Sequence, residues 1–196
     1  MPFEGYSALW AGENPNIGVG VFFRKNWTVR RLEETTHGIQ WVVPFAVTGP
    51  VNFTLIAVWA CQVKGSKRES YVGQVNRALN EHRSWFENGP VIAAGDFNSN
   101  ARWDKERRDW NHSTMVYQLR RHNLVSLCNT LKEEEHGKEE TPTFHLLKDA
   151  ERDFHIDYIF ALAEWLPRAC VTVGTFSEWR SYSDHCPITL NLDSGV

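Results

Sequence analysis

Residues 91–95 read Val-Ile-Ala-Ala-Gly, apolar at every position. A strand with one wet face alternates apolar and polar residues, so a short run without alternation belongs between two layers, buried on both faces. Upstream, residues 18–24 (GVGVFFR), 41–47 (WVVPFAV) and 53–60 (FTLIAVWA) are short, rich in β-branched and aromatic residues, and punctuated by turn formers such as Thr48-Gly49-Pro50. They read as neighbouring antiparallel strands. Over residues 70–86 the period changes: Val72, Val75, Leu79, His82 and Phe86 recur at spacings of three and four, which predicts an amphipathic helix ended by Asn88-Gly89-Pro90. Ser113 reads as the cap of a second helix that turns Val116 and Leu119 inward and ends near Asn123. Strands return at residues 143–147, 155–160, 170–176 and 187–192. The succession predicts an α/β sandwich, two sheets covered on the outside by helices.

No repeat, low-complexity tract or linker divides the 196 residues, so residues 1–196 read as a single domain. A net charge of −3 draws no polyanion by itself, and any nucleic-acid contact must come from a local patch or from bound cations. The N-terminus has neither the basic start nor the apolar run of a secretory signal, and no stretch is long enough for a membrane span. The expected location is cytoplasmic, with no membrane partner. Cys61, Cys128, Cys170 and Cys186 lack metal-like spacing and read as reduced thiols in or near the core. Residues 132–140 (KEEEHGKEE) read as a solvated, exposed loop.

Three polar clusters sit where apolar strands start or stop: Gly95-Asp96-Phe97-Asn98, His155-Ile156-Asp157-Tyr158 and Ser183-Asp184-His185. Strand ends on a rigid sheet bring together side chains that are distant in sequence. In extended chain Asp96 and Asn98 share a face while Phe97 anchors the other. An acid beside an amide can hold a hard cation or position a water; the same residues can also be an Asx turn after a strand. Asp157 lies in a run that must be largely buried, so it needs a partner. That partner is an imidazole, or else Arg152 or Arg168 in an ordinary salt bridge. Asp184 and His185 precede the strand ITLNL and, as neighbours in extended chain, serve different atoms. Cys186 beside His185 is a poor thiol nucleophile for the same geometric reason.

GDFN, HIDYIF and SDHCPI, in that order, resemble the endonuclease/exonuclease/phosphatase superfamily, which includes exonuclease III, apurinic endonucleases and DNase I. The resemblance spans the chain and implies a DNase I-like two-sheet α/β sandwich. It implies Asp96, Asn98, Asp157 and His185 as catalytic residues, with Asp96 the general base and His185, held by Asp157, stabilising phosphoryl oxygens. It further implies Asp184, Asp96, Asn98 and His185 around Mg²⁺ or Mn²⁺, ions that suit oxygen-rich ligands. Phosphodiester hydrolysis needs an in-line water and positive charge over the equatorial oxygens.

Two departures stand out. Members of the superfamily usually open with a strand carrying an Asn and a second ending in Gln-Glu; here those first strands are lacking, and Glu4 or Glu13 are the available substitutes for the Glu. In FTLIAVWACQ, Trp59 occupies the place where many relatives have a His, and its indole can pack a base or sugar. Sheet edges bared by missing strands invite a homodimer. Arg102, Lys105, Arg107 and Arg108, interleaved with Trp103 and Trp110, read either as a nucleic-acid patch or as a mixed solvated loop. Arg102, Trp103, Asn111, His112 and Trp59 are the expected substrate contacts. The expected function is a metal-dependent nuclease acting on DNA, or on RNA. The alternatives are a remnant without catalysis that binds nucleic acid or assembles, and a hydrolase of small phosphoesters.

Overall fold

The computed structural model describes residues 4–32, 39–64 and 66–193. The chain opens with an antiparallel hairpin of β1 (Tyr6–Asn14) and β2 (Ile17–Arg24). Next come β3 (Thr28–Arg31), β4 (Val42–Thr48) and β5 (Phe53–Trp59), with β4 antiparallel to β3 and β5 antiparallel to β4. Helix α1 (Val72–Glu81) carries the chain back, so that β6 (Val91–Asp96) lies parallel to β5. Then follow α2 (His112–Arg120), β7 (Leu124–Ser126), α3 (Leu127–Leu131) and the two-residue strands β8 (Phe144–His145) and β9 (Asp153–Phe154). Strand β10 (Asp157–Leu162) inserts between β6 and β7, and β11 (Ala169–Val173), α4 (Phe176–Trp179) and β12 (Ile188–Leu192) complete the fold.

The central sheet runs β3-β4-β5-β6-β10-β7. On one face Val42, Ile56, Val58, Ala93 and Phe160 meet Val72, Val75 and Leu79 of α1 and Met115 and Leu119 of α2. On the other face two hairpins lie side by side. β1–β2 covers Val43, Phe45 and Ala57 through Ala11 and Val19, and β11–β12 covers Phe53, Ile92 and Ile159 through Val171 and Leu190. Both faces of β6 are therefore roofed, as its unbroken apolar run requires. Among the described residues the two hairpins do not pair with each other, which leaves the second layer split over the ends of β6 and β10.

Several expectations change. β2 pairs with β1, a strand the sequence reading did not anticipate, rather than with β4, and β3 takes the place beside β4. The helix expected over residues 70–86 stops at Glu81; a 3-10 turn at Arg83–Phe86 then rotates Trp85 into the core and leaves Phe86 at its margin. Ser113 does not cap α2: the Asp104 carboxylate accepts from the backbone N–H groups of His112 and Ser113 at 2.8 and 2.9 Å. The strand expected over residues 143–147 shrinks to Phe144–His145, because Leu147 and Lys148 turn into the left-handed region. The four cysteines are free, but Cys170 is exposed rather than near the core. Residues 132–140 are not simply solvated, since the Glu139 side chain is 2% exposed. No helix among the described residues is long and apolar enough to cross a membrane.

Candidate active site

Asp96 ends β6 and Asp157 begins β10, directly opposite each other in the antiparallel ladder, so both side chains leave the sheet on the same face. Just before Asp96, Gly95 lets β6 lie close against β5: at φ 135 a side chain is strained, and a Cβ there would meet the Val58 carbonyl at 2.0 Å. Phe97 is fully buried on the helix side, edge-on to Tyr158 and Phe160. Asn98 turns back at φ 45, donating its backbone N–H to Asp96 Oδ1 at 2.7 Å and its amide to Oδ2 at 2.9 Å. The chain here is not extended: an Asx-type turn, not strand alternation, puts Asp96 and Asn98 on one side.

His185 arrives from the loop before β12 and donates Nδ1–H to Asp157 Oδ2 at 2.9 Å. Neither Arg152 nor Arg168 takes that place. The His185 side chain is 32% exposed against 18% for Asp157, so the imidazole meets the solvent and the carboxylate backs it. Thr143, which the sequence reading passed over, splices these pieces. Its buried hydroxyl accepts from the N–H groups of Ile156 and Asp157 at 3.0 Å each, and its carbonyl accepts from Cys186 N–H at 2.7 Å. A lone Thr after Pro142 carries no sequence signal for this role. Asp184 is half-buried and anchored by its carbonyl, which accepts from His145 N–H at 2.8 Å.

Burial first, and then the Asp157 charge, push the Asp96 carboxyl up to about 7, against the opposing pull of the Asn98 N–H and of His185. Burial alone would lower His185; its hydrogen bond to Asp157 and the charges of Asp157, Asp96 and Asp184 outweigh that and raise it. Near neutral pH the cleft thus pairs a carboxylate able to take a proton with an imidazole able to carry one. Burial and Asp157 raise the Cys186 thiol, which disfavours the nucleophilic thiolate. The cleft, about 470 Å³, is lined by Asp96, Asp157, Ser183, His185 and Trp179 over an apolar floor of Ala94 and Ile159.

Trp59 lies in register beside Asp96 on β5 and packs on Trp41 at 5.4 Å. Trp103, Phe154, Phe144 and His185 form an aromatic ridge, with successive ring centroids 5.4, 6.4 and 4.7 Å apart and Arg102 6.0 Å over Phe154. Phe144 and Phe154 were not among the expected contacts; each stands in a two-residue strand too short to read by alternation.

Two expected substrate contacts lie elsewhere. His112 has no exposed surface, and its ring bonds Ser99 and His136. The Asn111 side chain is spent on its own loop, accepting from Lys105 N–H and Arg108 and donating to the carbonyls of both. Glu4 precedes Tyr6, which lines a cavity at the Phe53 end of β5, about 20 Å along the strand from Trp59, so Glu4 does not reach Asp96. The Glu13 side chain lies outside the described residues. Among the described residues no group of three or more His, Cys, Asp or Glu side chains is arranged to hold a metal ion.

No protein-family model matches the chain, and no curated protein matches its sequence. Solved structures do match its fold. The endonuclease domain of TRAS1, a telomere-specific non-LTR retrotransposon, superposes with a TM-score of 0.63 at 19% identity, over 99% of this chain and 81% of that one. The AP endonuclease LMAP from Leishmania major gives 0.68 at 14% identity, over 95% and 70%. The 3'-5' exonuclease NExo from Neisseria meningitidis gives 0.62 at 16% identity, over 96% and 80%. The chain has the DNase I-like α/β sandwich of these endonuclease/exonuclease/phosphatase structures.

Proposed function

We propose that this protein hydrolyses phosphodiester bonds in DNA. The observation that carries the reading is the Asp157–His185 pair at 2.9 Å, set in one cleft with an Asp96 carboxyl pushed up to about 7. Asp96, with a pKa near neutral, takes the proton of the attacking water, and Asn98, tied to both oxygens of Asp96, keeps its lone pairs aimed. His185, charged and backed by Asp157, donates to a phosphoryl oxygen as negative charge builds there.

The donor chemistry fits a hard divalent cation. Asp96, Asn98 and Asp184 offer oxygen, and the repulsion that Asp157 and Asp184 exert on the Asp96 carboxylate is what such an ion would relieve. Mg²⁺ commonly uses one or two carboxylates, with water and substrate phosphate completing its shell, so the lack of a three-residue cage is compatible with it. Bound there, Mg²⁺ or Mn²⁺ would withdraw charge from the phosphate.

DNA is favoured by the aromatic ridge leading away from His185, with Arg102 above it: rings stack bases and a guanidinium meets phosphate. The Neisseria 3' phosphatase NExo, which has the same fold, is seen bound to a product DNA hairpin. The outer edges of β3 and β7 are the free edges of the central sheet among the described residues, and a second copy pairing there would form the homodimer, read by sedimentation.

The test incubates the protein with supercoiled plasmid and with an abasic-site duplex in Mg²⁺, Mn²⁺ or EDTA. Metal-dependent nicking that Asp96→Ala and His185→Ala abolish is the expected result. No cleavage with any metal, or cleavage unchanged in both variants, rejects the reading. Hydrolysis confined to small phosphoesters replaces DNA as the substrate.

A further inference from the structure

Glu139 comes from the charge run 132–140, yet its side chain is 2% exposed. Its carboxylate accepts from Asn100 Nδ2 at 3.0 Å, Asn129 Nδ2 at 3.1 Å and the Gly137 N–H at 2.9 Å. His136 approaches at 3.7 Å, but burial pushes its pKa down to about 4, so it is neutral at pH 7. Among the described residues no Lys or Arg forms an ion pair with Glu139. Burial by itself would raise the Glu139 carboxyl; the hydrogen bonds, led by that of Asn100, hold it below the usual range.

A buried anion without a cation is costly, and a glutamine would fill the same volume without the charge. What the carboxylate adds is that both oxygens only accept, and the groups at hydrogen-bond distance, the Asn100 and Asn129 amides, the Gly137 N–H and, at 3.5 Å, the Tyr158 hydroxyl, all donate to them. The amide it orients matters most. Asn100 Nδ2 also donates to the His155 carbonyl at 2.9 Å, and Asn100 Oδ1 accepts from Arg102 N–H at 3.0 Å. Asn100 thus joins the segment just after Asp96–Asn98 to the segment just before Asp157. Between these anchors Asn98 is held at φ 45, a conformation that persists only when its surroundings enforce it.

We propose that Glu139 is a positioning residue for the cleft: its carboxylate fixes the Asn100 amide, and Asn100 locks the Asp96–Asn98 turn against the start of β10. The activity readout rests on the hydrolase reading above; the exchange readout does not. Glu139→Gln presents an N–H₂ to one of the donors that now faces an oxygen, and so releases the turn without emptying the core.

The experiment compares the full chain with Glu139→Gln, Asn100→Ala and the double variant. In Glu139→Gln, kcat per folded molecule falls roughly 10²-fold while KM stays within about twofold, as misplacement of a reacting group predicts. In the Asn100→Ala background the Gln substitution costs nothing further, because both act on one link. Amide exchange at Phe97, whose N–H donates to the Ile156 carbonyl at 3.0 Å, and at Asn98 accelerates about tenfold or more, while β11 and β12 keep their protection.

Unchanged exchange at residues 97 and 98, acceleration spread evenly over the molecule, or additive losses in the double variant each overturns the inference. If the unmodified chain hydrolyses nothing, the hydrolase reading fails and exchange alone decides this one. Should Glu139→Gln not fold, Asn100→Ala is read by the same exchange measurement, with the same overturning result.

Discussion

Two regions of this molecule pair histidine with carboxylate, and they titrate in opposite directions. In the cleft, Asp157 and His185 stand 2.9 Å apart, His185 is raised, and Asp96 is pushed up to about 7. In the largely buried cluster around Tyr158, His136 and Glu139 stand 3.7 Å apart, burial pushes His112 down to about 3 and His136 to about 4, and Glu139 is held low. The difference lies in the company kept. In the cleft burial and the charges of Asp157 and Asp184 raise Asp96, while the bond to Asp157 and the charges of Asp157, Asp96 and Asp184 outweigh burial and raise His185. In the cluster burial, and for His112 the neighbouring His136, lowers the His112 and His136 rings, beside a carboxylate that amide donors already satisfy. Residue type alone decides neither behaviour; the local balance of charge and access to water does.

The widest separation of the two regions should come from activity. Asp96→Asn and His185→Ala are each expected to lower phosphodiester cleavage by roughly 10²–10⁴-fold, the usual worth of a general acid or base, measured by plasmid nicking with Mg²⁺. His112→Gln, at the buried ring of that second cluster, should lower it far less per folded molecule; equal losses would erase the contrast.

Thr143→Val comes next. It keeps the shape but strips the acceptor from two backbone N–H groups, those of Ile156 and Asp157. It should cost about 2–6 kcal/mol of stability in denaturant titration, since each of the two buried donors left unpaired costs about 1–3 kcal/mol.

Smaller effects carry a sign. Asp96 has a folded pKa of about 7 against an ordinary 3.8, so the native state binds its proton more tightly and ionisation penalises the fold as pH rises through that window. Asp96→Asn should therefore raise Tm at pH 8 by several degrees, in the range expected for about 1 kcal/mol, and have much less effect below pH 4. His185 is raised, so the stability its pairing contributes is complete below its ordinary value of 6.5 and is lost as pH climbs through the folded value. His185→Ala should accordingly destabilise more at pH 6 than at pH 9. His136 is pushed down to about 4 by burial, so its neutral burial costs stability as pH falls through 6.5; the same melts on His136→Gln should shift the other way, with less destabilisation at pH 6 than at pH 9. The smallest effect falls on the ridge: Arg102→Ala should reduce the salt dependence of DNA binding by about one unit of slope and spare folding.

Much of this was legible in advance. The apolar run before Asp96 demanded a central strand, and β6 is one, because nothing polar interrupts it to spoil burial on either face. The Val72, Val75 and Leu79 stripe announced α1 for the same reason. The ordering of Asp96, Asp157 and His185 at strand ends pointed to a shared cleft, and they share one. Pairing was not legible: β2 chose β1, since hydrophobic alternation says which face a strand buries and nothing about its neighbour. The charge of the run 132–140 favours solvent by itself, and Glu139 is buried only because donors distant in sequence, Asn100 and Asn129, await it. Thr143 and Phe144 were silent for a similar reason, their roles residing in contacts to residues some 10 to 43 positions away.

Local periodicity and composition are properties of neighbouring residues, so the sequence by itself settled the central strands β4, β5 and β6, the apolar face of the first helix and the identity of the acids and imidazole at the strand ends. Distances between those groups depend on how layers stack, and only the tertiary structure could set Asp157 against His185, hide His112 and Glu139, and split the second layer to open a cleft. Protonation follows from those distances, because a charge's energy is fixed by what surrounds it in space rather than by what precedes it in the chain.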